Sequence, residues 1–111
     1  MQRDRGVLLD ISLASGDILA FAHDVDEAAF LKDLKTQSAV LHKLIVIGEA
    51  VRRLSSDFTA AYPEIPWHEI AGMRNRIVHD YERVDLREIW NVVRNDIPVL
   101  LDFLRSLHIG E

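Results

Sequence analysis

Residues 40–54 read VLHKLIVIGEAVRRL, with apolar side chains at Val40, Leu41, Leu44, Ile45, Ile47, Val51 and Leu54. Steps of three and four lay these residues along one stripe of an α-helix, where a strand would require alternation. A stripe this wide must be buried against other elements, so the run commits the middle of the chain to helix-on-helix packing. The rest of the chain gives a β fold little to work with. Five glycines and three prolines in 111 residues are too few turn formers for a meander of short strands, while 49% of the residues are hydrophobic.

Val7, Leu8, Ile11, Ile18, Leu19 and Ala22 keep helical spacing and predict a first helix over 4–23. Asp24-Val25-Asp26 reads as a turn, with Asp26 capping a second helix that runs from Glu27 to Leu54 with a bend near 35–37. Ser55, Ser56, Asp57 and Phe58 look like the cap of one short helical turn. AYPEIPW, 61–67, is a loop, because two prolines cannot both sit inside a helix; Pro66 then opens a helix reaching Tyr81. After ERVD, Asp85 caps a last helix from Leu86 to Leu107, mildly kinked where Pro98 lacks the N–H that would bond the Arg94 carbonyl. The expectation is one all-α domain over 1–111, an antiparallel bundle of four main helices plus a short one.

Several chemistries are excluded early. There is no cysteine, hence no disulfide and no thiolate metal site. His23, His42, His68 and His108 are scattered without ligand spacing, no glycine loop could cradle a phosphate, and no serine lies in a nucleophile elbow. Neither a metal nor another cofactor is expected. The apolar stretch after the basic N-terminus is broken by Asp10 and Asp17, which argues against a signal peptide or membrane span and for a soluble cytoplasmic protein. The formal charge of −5 disfavours a broad polyanion binder. Residues 52–94, however, carry Arg52, Arg53, Arg74, Arg76, Arg83, Arg87 and Arg94 and no lysine, so any polyanion contact would be local and made by arginine.

The segment GMRNRIVHDYERVD, 72–85, concentrates the remaining chemistry. On a helical wheel set to Arg74, Trp67, Ile70, Ala71, Ile77 and Val78 fall within about 60° and Tyr81 within about 20°, which puts Arg74 and Tyr81 amid the apolar face. Asn75 and His79, four apart, stack on its flank; Glu69, Arg76 and Asp80 lie across the helix. A buried guanidinium requires a carboxylate partner, or else a cleft or subunit interface. Glu49, which interrupts LIVIGEAVRRL, is the best partner within the chain. Such a Glu49–Arg74 pair could simply tie two helices together. Alternatively, Arg74 could grip two phosphate oxygens while His79 moves protons near neutral pH, with Asn75 orienting the ring and Tyr81 stacking on a base. RNA would supply its own 2′-hydroxyl nucleophile and leave a 2′,3′-cyclic phosphate.

RNRIVHDY matches the R-x-x-x-x-H-x-Y motif of HEPN-domain toxins and resembles the HepT family in particular. VIGEAVRRLS, YPEIPWHEIAGMRNRIVHDY and NDIPVLLDFL are similar to HepT-like sequences in the same order. The resemblance implies a homodimeric helical bundle whose motif helices line a shared cleft. It also implies a metal-independent ribonuclease toxin of a type VII toxin-antitoxin system, acting on tRNA or mRNA and paired with an MNT-type nucleotidyltransferase antitoxin. Carried over by position, Arg74 and His79 would be catalytic, with Asn75, Arg76 and Glu49 supporting RNA binding. Tyr81 would be the tyrosine that the antitoxin modifies with AMP. A dimer would gather Arg74, Arg76, Arg52 and Arg53 around one cleft. The competing reading is a non-catalytic helical module that holds a nucleotidyltransferase or a nucleotide.

Overall fold

The computed structural model describes residues 2–109, and no strand forms among them. The elements are α1 (Gln2–Phe21), α2 (Glu27–Phe30), α3 (Leu34–Val51), α4 (Ser56–Ala61), α5 (Trp67–His79), a 3-10 turn (Tyr81–Arg83), α6 (Leu86–Asn91), a π-helical segment (Val92–Asp96) and α7 (Ile97–Ser106). Among the described residues no helix is long and apolar enough to cross a membrane.

Three cross-links fix how α1 and α3 run. Asp4 meets Ser55 just beyond α3, Asp10 pairs with Arg53, and Asp17 pairs with Lys43 at 3.0 Å. Position rises along one helix as it falls along the other, so the two are antiparallel. The last helical run is antiparallel to α1 as well: Arg5 Nε donates to the Ile109 carbonyl at 2.9 Å, while Leu19 and Ala22 border the same cavity as Val93 and Pro98. One hydrophobic cluster joins these helices, with Ile11, Ile18, Phe30, Val40, Ile47, Ile77, Val93 and Leu104 essentially sealed from solvent. A stacked Phe30–Trp90 pair, 5.0 Å between centroids, ties α2 to α6. Phe58, Tyr62, Trp67 and Phe103 make a second aromatic contact that pins the 61–67 loop onto α7.

The caps lie where the sequence puts them. Asp26 accepts from Ala29 N at 2.8 Å, Ser55 from Phe58 N at 3.1 Å, and Asp85 from Arg87 N at 3.0 Å. Two expectations are corrected. The helix expected over Glu27–Leu54 is really two, and the break comes at 31–33 rather than at a bend near 35–37. Asp33 accepts from Thr36 N at 3.1 Å and so starts a new helix, while the buried Gln37 amide donates to the Phe30 carbonyl at 2.9 Å and satisfies the end of α2. These local side-chain bonds offer the backbone an alternative to continuous helix. The expected mild kink at Pro98 is a five-residue π segment, in which Ile97 N bonds Val92 O. Widening the turn just before the proline relieves the clash between its ring and the preceding carbonyls.

Candidate active site

Two buried anchors place α5. Trp67 opens it, with Nε1 donating to the Tyr62 carbonyl at 3.0 Å, and Ile77 is 1% exposed. Pro66 precedes the first helical residue as its cap. The helix stops at His79, two residues short of the expected end at Tyr81. Asp80 leaves helical conformation at φ −141°, and Tyr81 begins the 3-10 turn. The charged DYER stretch has no apolar stripe to bury, so nothing extends the helix through it. Tyr81 therefore does not occupy the wheel position read from the sequence.

α3 and α5 come into close contact at Arg74. A Cβ built on Gly48 would stand 2.3 Å from Arg74 Cβ and 3.3 Å from the Ile70 carbonyl oxygen. Only glycine allows this approach. With the Arg74 backbone pressed against α3, its guanidinium lies beside Glu49, and the two form an ion pair. Arg74 Nε is buried and faces the carboxylate as a charge partner, not as an aligned hydrogen-bond donor. Nη1 donates to Asn75 Oδ1 at 3.0 Å. The side chain keeps 24% of its exposure, so the pair does not seal the cation inside the protein. Arg52, one turn beyond Gly48, also reaches Asn75 Oδ1, at 3.4 Å.

The other predicted residues are distributed around α5. His79 is exposed, and its imidazole makes no hydrogen bond or ion pair among the described residues. Asn75 and His79 line a cavity of about 500 Å³ bounded also by Met73, Ile77 and Val84 and by the charged Arg83 and Glu88. Arg76 lies on that side, but Glu88 takes its charge at 3.2 Å. Arg53, expected to join the arginine cluster, instead faces α1 and pairs with Asp10 at 3.5 Å. Val78 is 43% exposed, so the apolar side of α5 is only partly covered by the chain's own helices, and Tyr81, in the turn beyond it, is 45% exposed. Gly48 was not among the expected site residues, and Arg52 was expected at the motif only through a dimer cleft; both meet α5 within one chain. Their one signal was being four apart, on the same face of the helix that carries Glu49.

A free imidazole beside a cavity, and on the same helix a cation held at the edge of solvent but not lining that cavity, are groups suited to proton transfer and to binding an anionic substrate. The profile of the family described as "Ribonuclease HepT-like" matches residues 11–107. Among curated proteins, the chain is 43% identical to "Putative RNase MJ0127" of Methanocaldococcus jannaschii over 85% of its own length and 78% of that protein's. It is 44% identical to "Probable ribonuclease HepT" of Thermococcus cleftensis, covering 84% of each. A second M. jannaschii relative, "Putative RNase MJ1380", is 34% identical over 85% of this chain and 86% of its own. No solved structure gives a significant match.

Proposed function

Because the chain belongs to the HepT-like ribonuclease family, we propose that it cleaves RNA without a metal, using Arg74 and His79, as the toxin of a toxin-antitoxin pair. The observation that carries this reading is the state of α5: His79 is unpartnered beside a cavity, on the same helix as a partly exposed Arg74 held by Glu49 and Asn75.

The chemistry follows from those groups. The RNA 2′-oxygen attacks the adjacent phosphorus as an imidazole takes its proton, the P–O5′ bond breaks, and the departing 5′-oxygen is protonated. The products are a 2′,3′-cyclic phosphate and a 5′-hydroxyl. Negative charge grows on the non-bridging oxygens, and the Arg74 fork stabilises it. Glu49 holds one edge of that fork, so the cation is oriented before substrate arrives. One histidine per protomer makes a sparse site. A two-fold dimer through the partly covered side of α5 would bring a second histidine and a second arginine to it. The exposed Val78 and Tyr81 support that arrangement.

Regulation by a nucleotidyltransferase partner fits the position of Tyr81, an exposed residue two positions after the end of α5. AMP attached there would put a bulky anion beside the phosphate site and repel RNA.

Purified protein incubated with total tRNA in chelator is expected to cut it. His79→Ala should abolish cleavage while leaving helicity unchanged, because the ring is exposed and unbonded and its loss should alter stability by no more than about 0.5 kcal/mol. Equal cleavage by that variant removes His79 from the mechanism. With the partner nucleotidyltransferase and ATP, mass should rise in AMP-sized steps that Tyr81→Phe eliminates. A mass gain surviving that change would place the modification on another residue.

A further inference from the structure

Of the arginines between residues 52 and 94, Arg53 has Asp10, Arg76 has Glu88 and Arg87 has Glu27 as a carboxylate partner, whereas Arg52, Arg83 and Arg94 make no such pair among the described residues. Arg52 instead points its Nη1 at the amide oxygen of Asn75, the same oxygen that accepts from Arg74 Nη1. Two guanidiniums thus converge on one neutral acceptor, and the single carboxylate among them, Glu49, faces Arg74 Nε. Like charges gathered this closely around a neutral group repel one another unless an anion joins them. The local balance is two cations against one anion, at a place where Arg52 and Asn75 are both exposed.

The backbone favours this convergence. Gly48 lets α3 touch Arg74 Cβ, and Arg52, four residues on, projects from the same face one turn later. That brings it level with Asn75, the residue after Arg74. Asn75 Oδ1 spaces the two forks, and its amide N–H₂ group is left to donate to a third party.

We propose that Arg52, Asn75 and Arg74 form a subsite for one RNA phosphodiester, with Arg52 a second cationic grip that α3 contributes to the group held by α5. A phosphodiester carries two non-bridging oxygens, one for each arginine fork, and the Asn75 amide donates to either of them. The assignment rests on the ribonuclease reading and adds to it a binding residue from outside the 72–85 segment.

The test uses a labelled single-stranded RNA bound to His79→Ala protein, which does not consume it, over a series of salt concentrations. Adding Arg52→Ala should weaken binding regardless of base sequence and reduce the slope of log affinity against log salt by about 0.7, one single-strand phosphate contact. Arg52→Lys should keep the slope and recover only part of the affinity, because the charge survives without the fork. Arg53→Ala, next in sequence but turned toward α1, should leave slope and affinity alone. In otherwise unaltered protein, Arg52→Ala should lower kcat/KM by about tenfold to a hundredfold, as for loss of one charge-assisted hydrogen bond, with its thermal midpoint unchanged. Binding and cleavage both indifferent to Arg52→Ala, or Arg53→Ala matching it, overturn the subsite and leave the nuclease standing. RNA neither bound by the His79→Ala protein nor cut by the unaltered one removes the nuclease reading and the subsite together.

Discussion

A methyl group on Gly48 would overlap Cβ of Arg74, an atom fixed by its own helix, at 2.3 Å. Helix propensity favours alanine over glycine by about 1 kcal/mol, but forcing two packed helices apart costs typically about 1–3 kcal/mol. The second effect should win. Gly48→Ala is expected to lower stability in urea denaturation and to impair cleavage, because the Arg74 guanidinium moves with the backbone. Gly16 on α1 is the control: a Cβ there meets nothing within 4 Å, so Gly16→Ala should stabilise by about 0.5–1 kcal/mol. Gly48→Ala at or above the stability of the parent would contradict the close crossing. At this scale the sequence was informative about charge and silent about clearance. A guanidinium on an apolar face called for a carboxylate, a cleft or a subunit interface, and Glu49 supplied the first of these. That Gly48 sets the interhelical distance depends on where two helices cross, which no local pattern encodes.

Element boundaries depend on small polar contacts, and one of them joins distant parts of the chain. Asp4 on α1, 3% exposed, accepts from the Ser55 hydroxyl at 2.6 Å and from the Ser55 N–H at 2.9 Å, so α1 steadies the residue that caps α4. The Ser55 hydroxyl foremost, and its N–H next, hold the Asp4 carboxyl below the ordinary 3.8. A carboxyl with a depressed folded-state pKa stabilises above its unfolded value, and that contribution is lost as pH falls through the folded one. Asp4→Asn should therefore lower the thermal midpoint at neutral pH, and the gap to the parent should close as pH drops below about 4. A gap constant from neutral to acid pH would mean that ionisation of Asp4 is irrelevant. The capping residues Asp26, Ser55 and Asp85 were legible because a cap acts within four residues of itself. The break at Asp33 and the π segment before Pro98 were misjudged in position or kind. In both, a local competitor of the regular helix, the Asp33 cap in one and the proline ring in the other, outweighed the continuous apolar pattern.

Taken as a whole, the molecule leaves one side of α5 partly uncovered, with Val78 in solvent on the helix that carries the paired Arg74 and Tyr81 exposed just beyond that helix. If two protomers meet there, a charge placed at Val78 should separate them. Val78→Asp is expected to shift the assembly from dimer to monomer in analytical ultracentrifugation and to abolish RNA cleavage while helicity is kept. An unaltered protein that sediments as a monomer and still cuts RNA would remove the dimer from the mechanism.

The order of helices, most of their caps and the grouping of Arg74, Asn75 and His79 on one helix were determined by sequence alone, because periodicity, capping and i,i+4 spacing are relations between near neighbours. The tertiary structure alone decided that α3 approaches α5 at Gly48 and that Arg52 rather than Arg53 turns toward Asn75. Those outcomes depend on how two apolar stripes settle against each other. Packing resolves that only when every helix is present, since a rotation or slide of one helix changes which polar residue each neighbour meets.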